Sequence, residues 1–138
     1  MNRTILIVED DDNNRLLMSD ILSFHGHTIV EARNGAEGIE KARETMPDLV
    51  LMDIQMPVMD GFSAAKILKD DPVTRPLKLI ALTSFAMQGD RERILAAGFD
   101  DYIAKPINTR EFPQFIKNHL EHGNEFTSPP LPEGTYFR

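Results

Sequence analysis

Four short apolar runs end in polar side chains, and none shows the period-two alternation of a half-exposed strand. Ile5-Leu6-Ile7-Val8 meets Glu9 and Asp10, and Leu49-Val50-Leu51-Met52 meets Asp53. Leu79-Ile80-Ala81-Leu82 meets Thr83, and Tyr102-Ile103-Ala104 meets Lys105. Runs of this kind suit strands buried on both faces, as in a parallel sheet covered by helices. Between them lie residues at helical spacing: Leu16, Leu17, Ile21 and Leu22; Ala36, Ile39 and Ala42; Ala64, Ala65 and Leu68; Ile94, Leu95 and Ala97; and finally Phe112, Phe115, Ile116 and Leu120. Strand and helix therefore alternate five times. The pattern predicts an α/β fold, a doubly wound parallel sheet with right-handed crossovers on both sides.

The punctuation agrees. Asn34-Gly35 precedes the second helix, Asp60-Gly61 the third, and Gly98 follows the fourth, each offering a turn or cap conformation. Asp12 reads as an N-cap of the first helix, Asp90 as the start of the fourth, and Thr109 with Glu111 as the start of the fifth. Pro113 then falls in a first turn, where a missing N–H costs little. From Gly123 the character changes, through Ser128-Pro129-Pro130 to Pro132-Glu133-Gly134. One domain over residues 1–122 is expected, followed by a Pro-rich tail, 123–138, with no core of its own.

With 138 residues, 41% of them apolar, the chain can bury one core. Acids outnumber bases by 22 to 15, giving a net charge of −7 and arguing against a nucleic-acid surface. The absence of cysteine excludes disulfides, thiolate metal sites and cysteine nucleophiles. No apolar stretch approaches the ~20 residues that span a bilayer, and the opening Met1-Asn2-Arg3-Thr4 runs straight into a strand. A cytoplasmic protein without membrane contact is expected.

In an open parallel sheet the ligand crevice lies outside the carboxyl ends of the strands, where strand order reverses. Glu9, Asp10 and Asp53 would repel one another there unless a cation sat among them. Hard oxygen donors without His or Cys favour Mg²⁺, with Mn²⁺ as an alternative. Lys105 adds a positive charge opposite Asp53, and Thr83 a hydroxyl. Such a set could stabilise a phosphoryl group carried on Asp53, because phosphoryl transfer depends on positioning and charge neutralisation. Asp11 and Asp12 read as structural acids and Asp60 as a turn residue. His25 and His27 read as exposed loop residues, His119 and His122 as solvent-facing, and the methionines as packing groups.

Four segments, Val8-Glu9-Asp10-Asp11, Asp48 to Gly61, Ala81-Leu82-Thr83-Ser84 and Gly98 to Pro106, together resemble the receiver domains of two-component response regulators, CheY-like and of the single-domain type. The resemblance spans roughly residues 4–121 and implies a flavodoxin-like (βα)5 fold with strand order 2-1-3-4-5. It implies that Asp53 accepts a phosphoryl group from a sensor histidine kinase or a histidine phosphotransfer protein. Asp10, Asp53 and the Gln55 backbone carbonyl would bind Mg²⁺, with Glu9 assisting through water. Thr83, Ser84 and Lys105 would contact the phosphoryl group, and Tyr102 would move inward with Thr83. A cis bond between Lys105 and Pro106 is implied as well. The output would be a protein target bound through the fourth helix, fifth strand and fifth helix, around Phe85 to Met87 and Arg91 to Leu95. The chain would act as a monomer or weak dimer, and as a switch rather than an enzyme. A narrower likeness, along Leu82 to Ile94, is to single-domain regulators of cell-cycle and phosphorelay pathways.

Two departures stand out: Glu9 replaces the commoner first Asp, and Ser84 the commoner Ala or Gly. Competing readings are an unphosphorylated interaction module, a receiver piece of a hybrid kinase, and a haloacid-dehalogenase-like phosphatase. The last expects an Asp where Gln55 stands. Gln55 and Phe85 occupy the two variable positions that tune dephosphorylation in the family. An apolar ring cannot orient water, so a long-lived phosphoryl state is expected. Phe85→Glu should shorten the half-life of the phosphorylated protein, followed by loss of the acyl phosphate, and an unchanged decay would refute the role of the ring.

Overall fold

The structure is a computed structural model in which residues 3–84 and 88–122 are described. Strands β1 (Thr4–Val8), β2 (Thr28–Ala32), β3 (Leu49–Asp53), β4 (Leu79–Thr83) and β5 (Asp101–Ala104) alternate with five helices. These are α1 (Asp12–Phe24), α2 (Gly35–Thr45), α3 (Gly61–Asp70), α4 (Gln88–Ala96) and α5 (Phe112–His122). All strand pairs are parallel, in the order β2-β1-β3-β4-β5. The expected doubly wound architecture is present. The expected tail, 123–138, lies outside the described residues.

Because side chains alternate across a strand, the sheet feeds two separate core layers. Leu6, Val8, Val50, Met52, Leu79 and Ala81 face the layer that includes Ile39, Ala64, Leu68 and Ile94. Ile5, Ile7, Leu49, Leu51, Ile80, Leu82 and Ile103 face the layer completed by Met18, Leu22, Phe112, Ile116 and Leu120. The three inner strands are therefore apolar on both sides. The edge strand β2 is half exposed, with only Ala32 fully buried.

Several helix faces differ from the expected ones. In α1 the inward residues are Arg15, Met18, Ser19 and Leu22, while Leu16 and Leu17 are exposed. The true stripe, at i, i+3, i+4 and i+7, admits a polar pair, and the adjacent leucines obscured it. Ala36 and Leu95 are likewise exposed. In α2 the buried face is Gly35, Gly38, Ile39 and Ala42.

The caps also shift. Asp11, not Asp12, caps α1 by accepting from Asn14 N at 2.9 Å, and Asp12 instead pairs with Arg15 in the first turn. Asn34 and Asp60 cap α2 and α3 as side-chain acceptors. The fourth helix starts at Gln88, ahead of Asp90. Before α5, Asn108 Oδ1 accepts from the amides of Arg110 and Glu111, taking the part expected of Thr109. Pro113 lies in the first turn of α5.

Gly61 is a helical residue whose requirement is space. A Cβ there would stand 2.6 Å from the Asp53 carbonyl oxygen and 2.7 Å from the Ile54 Cα. Both are backbone atoms at the end of β3 and the residue that follows it, and cannot yield cheaply. Gly61→Ala should therefore destabilise the protein by about 1–3 kcal/mol, read as a lower urea midpoint with unchanged slope.

Candidate functional site

The strand register brings the polar residues to one edge. Val8 pairs with Met52, Asp53 with Leu82, and Thr83 with Ala104, so the residues that follow are neighbours across the sheet. The ladder continues one residue further: Glu9 N donates to Ala32 O, Ile54 N to Leu82 O, and Lys105 N to Thr83 O, at 2.8–3.0 Å. Chain connections leave β1 in one direction and β3 in the other, which puts this edge at the reversal of strand order.

Carboxylate oxygens of Glu9, Asp10 and Asp53 lie within 4.8 Å of one another. Glu9 and Asp53 are buried, and Asp10 is exposed at the rim. Lys105 Nζ stands between the buried pair, 2.8 Å from Glu9 Oε1 and 2.9 Å from Asp53 Oδ2. Asp53 Oδ1 accepts from Gln55 N at 3.0 Å. The Lys105–Pro106 bond is cis, as expected.

Three carboxylates against one ammonium leave the pocket short of positive charge. Burial pushes the Glu9 carboxyl up to about 7, reinforced by a hydrogen bond to Asp53 and opposed by Lys105. Burial alone would lower Lys105, but its bonds to Glu9 and Asp53 outweigh that and hold it above the ordinary lysine value. The donor set, all oxygen with one rim carboxylate open to solvent, fits a hard divalent cation such as Mg²⁺.

The remaining site residues are distributed around this core. Thr83 is 2% exposed at the end of β4, and Ser84 is exposed just beyond it. Tyr102 is 4% exposed and already lies within the core layer it shares with Ile94 and Phe99. Phe85 lies outside the described residues. In the turn after β3, Val58 is fully exposed with φ at +70°, a strained conformation for a β-branched residue.

Matching the chain to protein-family models gives the response regulator receiver domain over residues 5–117. The chain belongs to the response regulator receiver family. The polar-differentiation response regulator DivK of Brucella anthropi is 44% identical to this receiver over 120 residues, 87% of this chain and 98% of that protein. The receiver domain of the sensor histidine kinase PA1611 from Pseudomonas aeruginosa PAO1, solved with a magnesium ion coordinated in its active-site cleft, is 33% identical. It superposes with a TM-score of 0.80, covering 88% of this chain and 99% of that one. A putative response regulator from Chloroflexus aurantiacus J-10-fl gives a TM-score of 0.82 at 29% identity, covering 88% and 99%. The receiver fold follows. No helix among the described residues is long and apolar enough to cross a membrane.

Two groups escaped sequence reasoning. Arg15 is 7% exposed; its Nη1 donates to Glu9 O at 2.8 Å and its Nε to Glu31 Oε1 at 3.1 Å, so it anchors the backbone of the acidic pair. The signal was Arg15 falling three and seven residues before Met18 and Leu22. His119, expected to face solvent, is 4% exposed, with Nε2 at 2.9 Å from Asp101 Oδ2 and Nδ1 at 3.5 Å from Lys78 Nζ. No sequence pattern linked Lys78, Asp101 and His119, which meet only through the packing of α5 on the sheet. His27 is half-buried rather than exposed, whereas His25 is exposed as expected. The side chain of His122 lies outside the description.

The raised Glu9 carboxyl has a signed consequence. The folded protein binds this proton more tightly than the unfolded chain, so stability falls as pH rises from about 4.5 to about 7 and the full penalty persists above that. In EDTA, urea melts should show this decline in the wild type and a markedly flatter profile over the same window in Glu9→Gln.

Proposed function

We propose that the protein is a phospho-acceptor switch in which Asp53 takes a phosphoryl group from the phosphohistidine of a sensor kinase or phosphotransfer protein. The observation that carries this reading is the buried Asp53 carboxylate at the strand-order reversal, bridged to Glu9 by Lys105 and ringed by acids in a receiver fold. In the transfer, the P–N bond of the donor breaks with its electron pair leaving on the imidazole, and an O–P bond forms at the Asp53 carboxylate. Lys105 holds positive charge beside the acceptor, where the phosphoryl oxygens would stand. Thr83 and Ser84 supply hydroxyl and amide donors from the end of β4.

Asp10, Asp53 and the Gln55 backbone carbonyl would hold Mg²⁺, or Mn²⁺, with Glu9 acting through water. The ion, when bound, neutralises phosphoryl charge that Lys105 alone cannot match. A phosphorylated Asp53 would draw Thr83 and Tyr102 into a new packing and so alter the face formed by α4, β5 and α5. The exposed Leu95 on α4 supports a protein target there. A cytoplasmic monomer or weak dimer, with 1–122 as the receiver unit and 123–138 as an appendage, completes the reading. Gln55 and Phe85 would tune the lifetime of the phosphoryl group.

Intact-mass measurement after incubation with acetyl phosphate tests the proposal. Wild type with Mg²⁺ should gain one phosphoryl group, whereas Asp53→Asn, or wild type in EDTA, should gain none. If a cognate type of phosphohistidine donor also failed to label the wild type, the chain would be an unphosphorylated interaction module.

A further inference from the structure

Gln55 touches both sides of the site. Its backbone N–H donates to Asp53 Oδ1 at 3.0 Å, and its side-chain Oε1 accepts from Ser84 N at 3.2 Å. One half-buried residue on the loop after β3 thus ties the acceptor carboxylate to the first residue beyond β4. Ser84 is exposed, and this bond is what the described structure gives its amide.

We propose that the Gln55 side chain is a positioning clasp that holds the Ser84 amide in the unphosphorylated arrangement and competes for it with the phosphoryl group on Asp53. The inference rests on Asp53 being the acceptor and adds a regulatory role for Gln55 in that same site. A neutral carboxamide oxygen is a weaker acceptor than a phosphoryl oxygen, and the phosphoryl group brings three such oxygens and nearly two negative charges within reach of the same loop. The Ser84 amide can serve one acceptor strongly, so phosphorylation must break the clasp to recruit it. Space for the released side chain exists: a cavity of about 320 Å³ adjoins Gln55 and Thr83, bounded by Ile54, Phe62, Arg93 and Ile94. The Arg93 guanidinium lies over the Phe62 ring at 4.8 Å and forms part of its wall. Gln55 therefore sets how readily the end of β4 closes on the phosphoryl group, a role in activation separate from any effect on attacking water.

The experiment compares full-length wild type, Gln55→Leu and Gln55→Glu by amide proton exchange at Ser84 and by titration with beryllium fluoride, a phosphoryl mimic, in Mg²⁺. Without the mimic, the Ser84 amide should exchange at least about tenfold faster in Gln55→Leu than in wild type, and Gln55→Glu, which keeps an acceptor of the same reach, should retain slow exchange. With the mimic, Gln55→Leu should bind about fivefold more tightly, the effect of one ordinary hydrogen bond that no longer has to be broken. Gln55→Ala serves in the same role if leucine disturbs the fold. Equal affinity for the mimic in Gln55→Leu and wild type would overturn the competition while leaving Asp53 as acceptor. Fast exchange in Gln55→Glu would overturn the clasp itself. Failure of the wild type to bind the mimic would instead overturn the acceptor reading, and the competition with it.

Discussion

The ion pair of Lys105 with both Glu9 and Asp53 is the interaction around which the site is organised. Two buried carboxylates cannot both remain charged at close range without compensation, and one lysine on the loop after β5 provides it across the width of three strands. Its reach depends on the parallel register, which aligns the ends of β1, β3, β4 and β5. A one-residue slip in any of these strands would turn the polar residue at its end toward the opposite core layer.

The charge balance of the site remains incomplete. Asp10 adds a third carboxylate at the rim, and burial raises Glu9 to about 7. A pocket short of positive charge suits a divalent cation, and on the proposed function the bound cation would let the same pocket accept a phosphoryl group. Arg15, on α1, contributes by holding the Glu9 carbonyl. Gln55 ties the Asp53 carboxylate to Ser84, the first residue beyond the next strand end.

Much of this is legible in the sequence. Unbroken apolar runs identified β1, β3 and β4 because strands buried on both faces cannot alternate. The half-exposed strand β2 had no such run and was implied only by the alternation of elements. Helix faces were read less well: Leu16 and Leu17 look like core, yet Met18 and Leu22 fill it while Arg15 turns inward to satisfy a backbone carbonyl. The cap of α1 fell one residue early in a run of four acids, where the sequence offers several equivalent acceptors. The buried contact of His119 with Asp101 and Lys78 was invisible, because it joins residues up to 41 positions apart across α5, β5 and the approach to β4.

The sequence by itself determined the strand ends and the residues that occupy them, because burial on both faces requires a continuous apolar run and a polar residue marks its exit. It thereby named Glu9, Asp10, Asp53, Thr83 and Lys105 as a single constellation. Only the tertiary structure decided which of those groups touch, that Lys105 bridges Glu9 and Asp53 rather than serving Asp53 alone, and that Gln55 holds the Ser84 amide. Those contacts are set by register, by crossover packing and by the desolvation that follows. These are properties of several strands at once, and no local stretch of sequence encodes them.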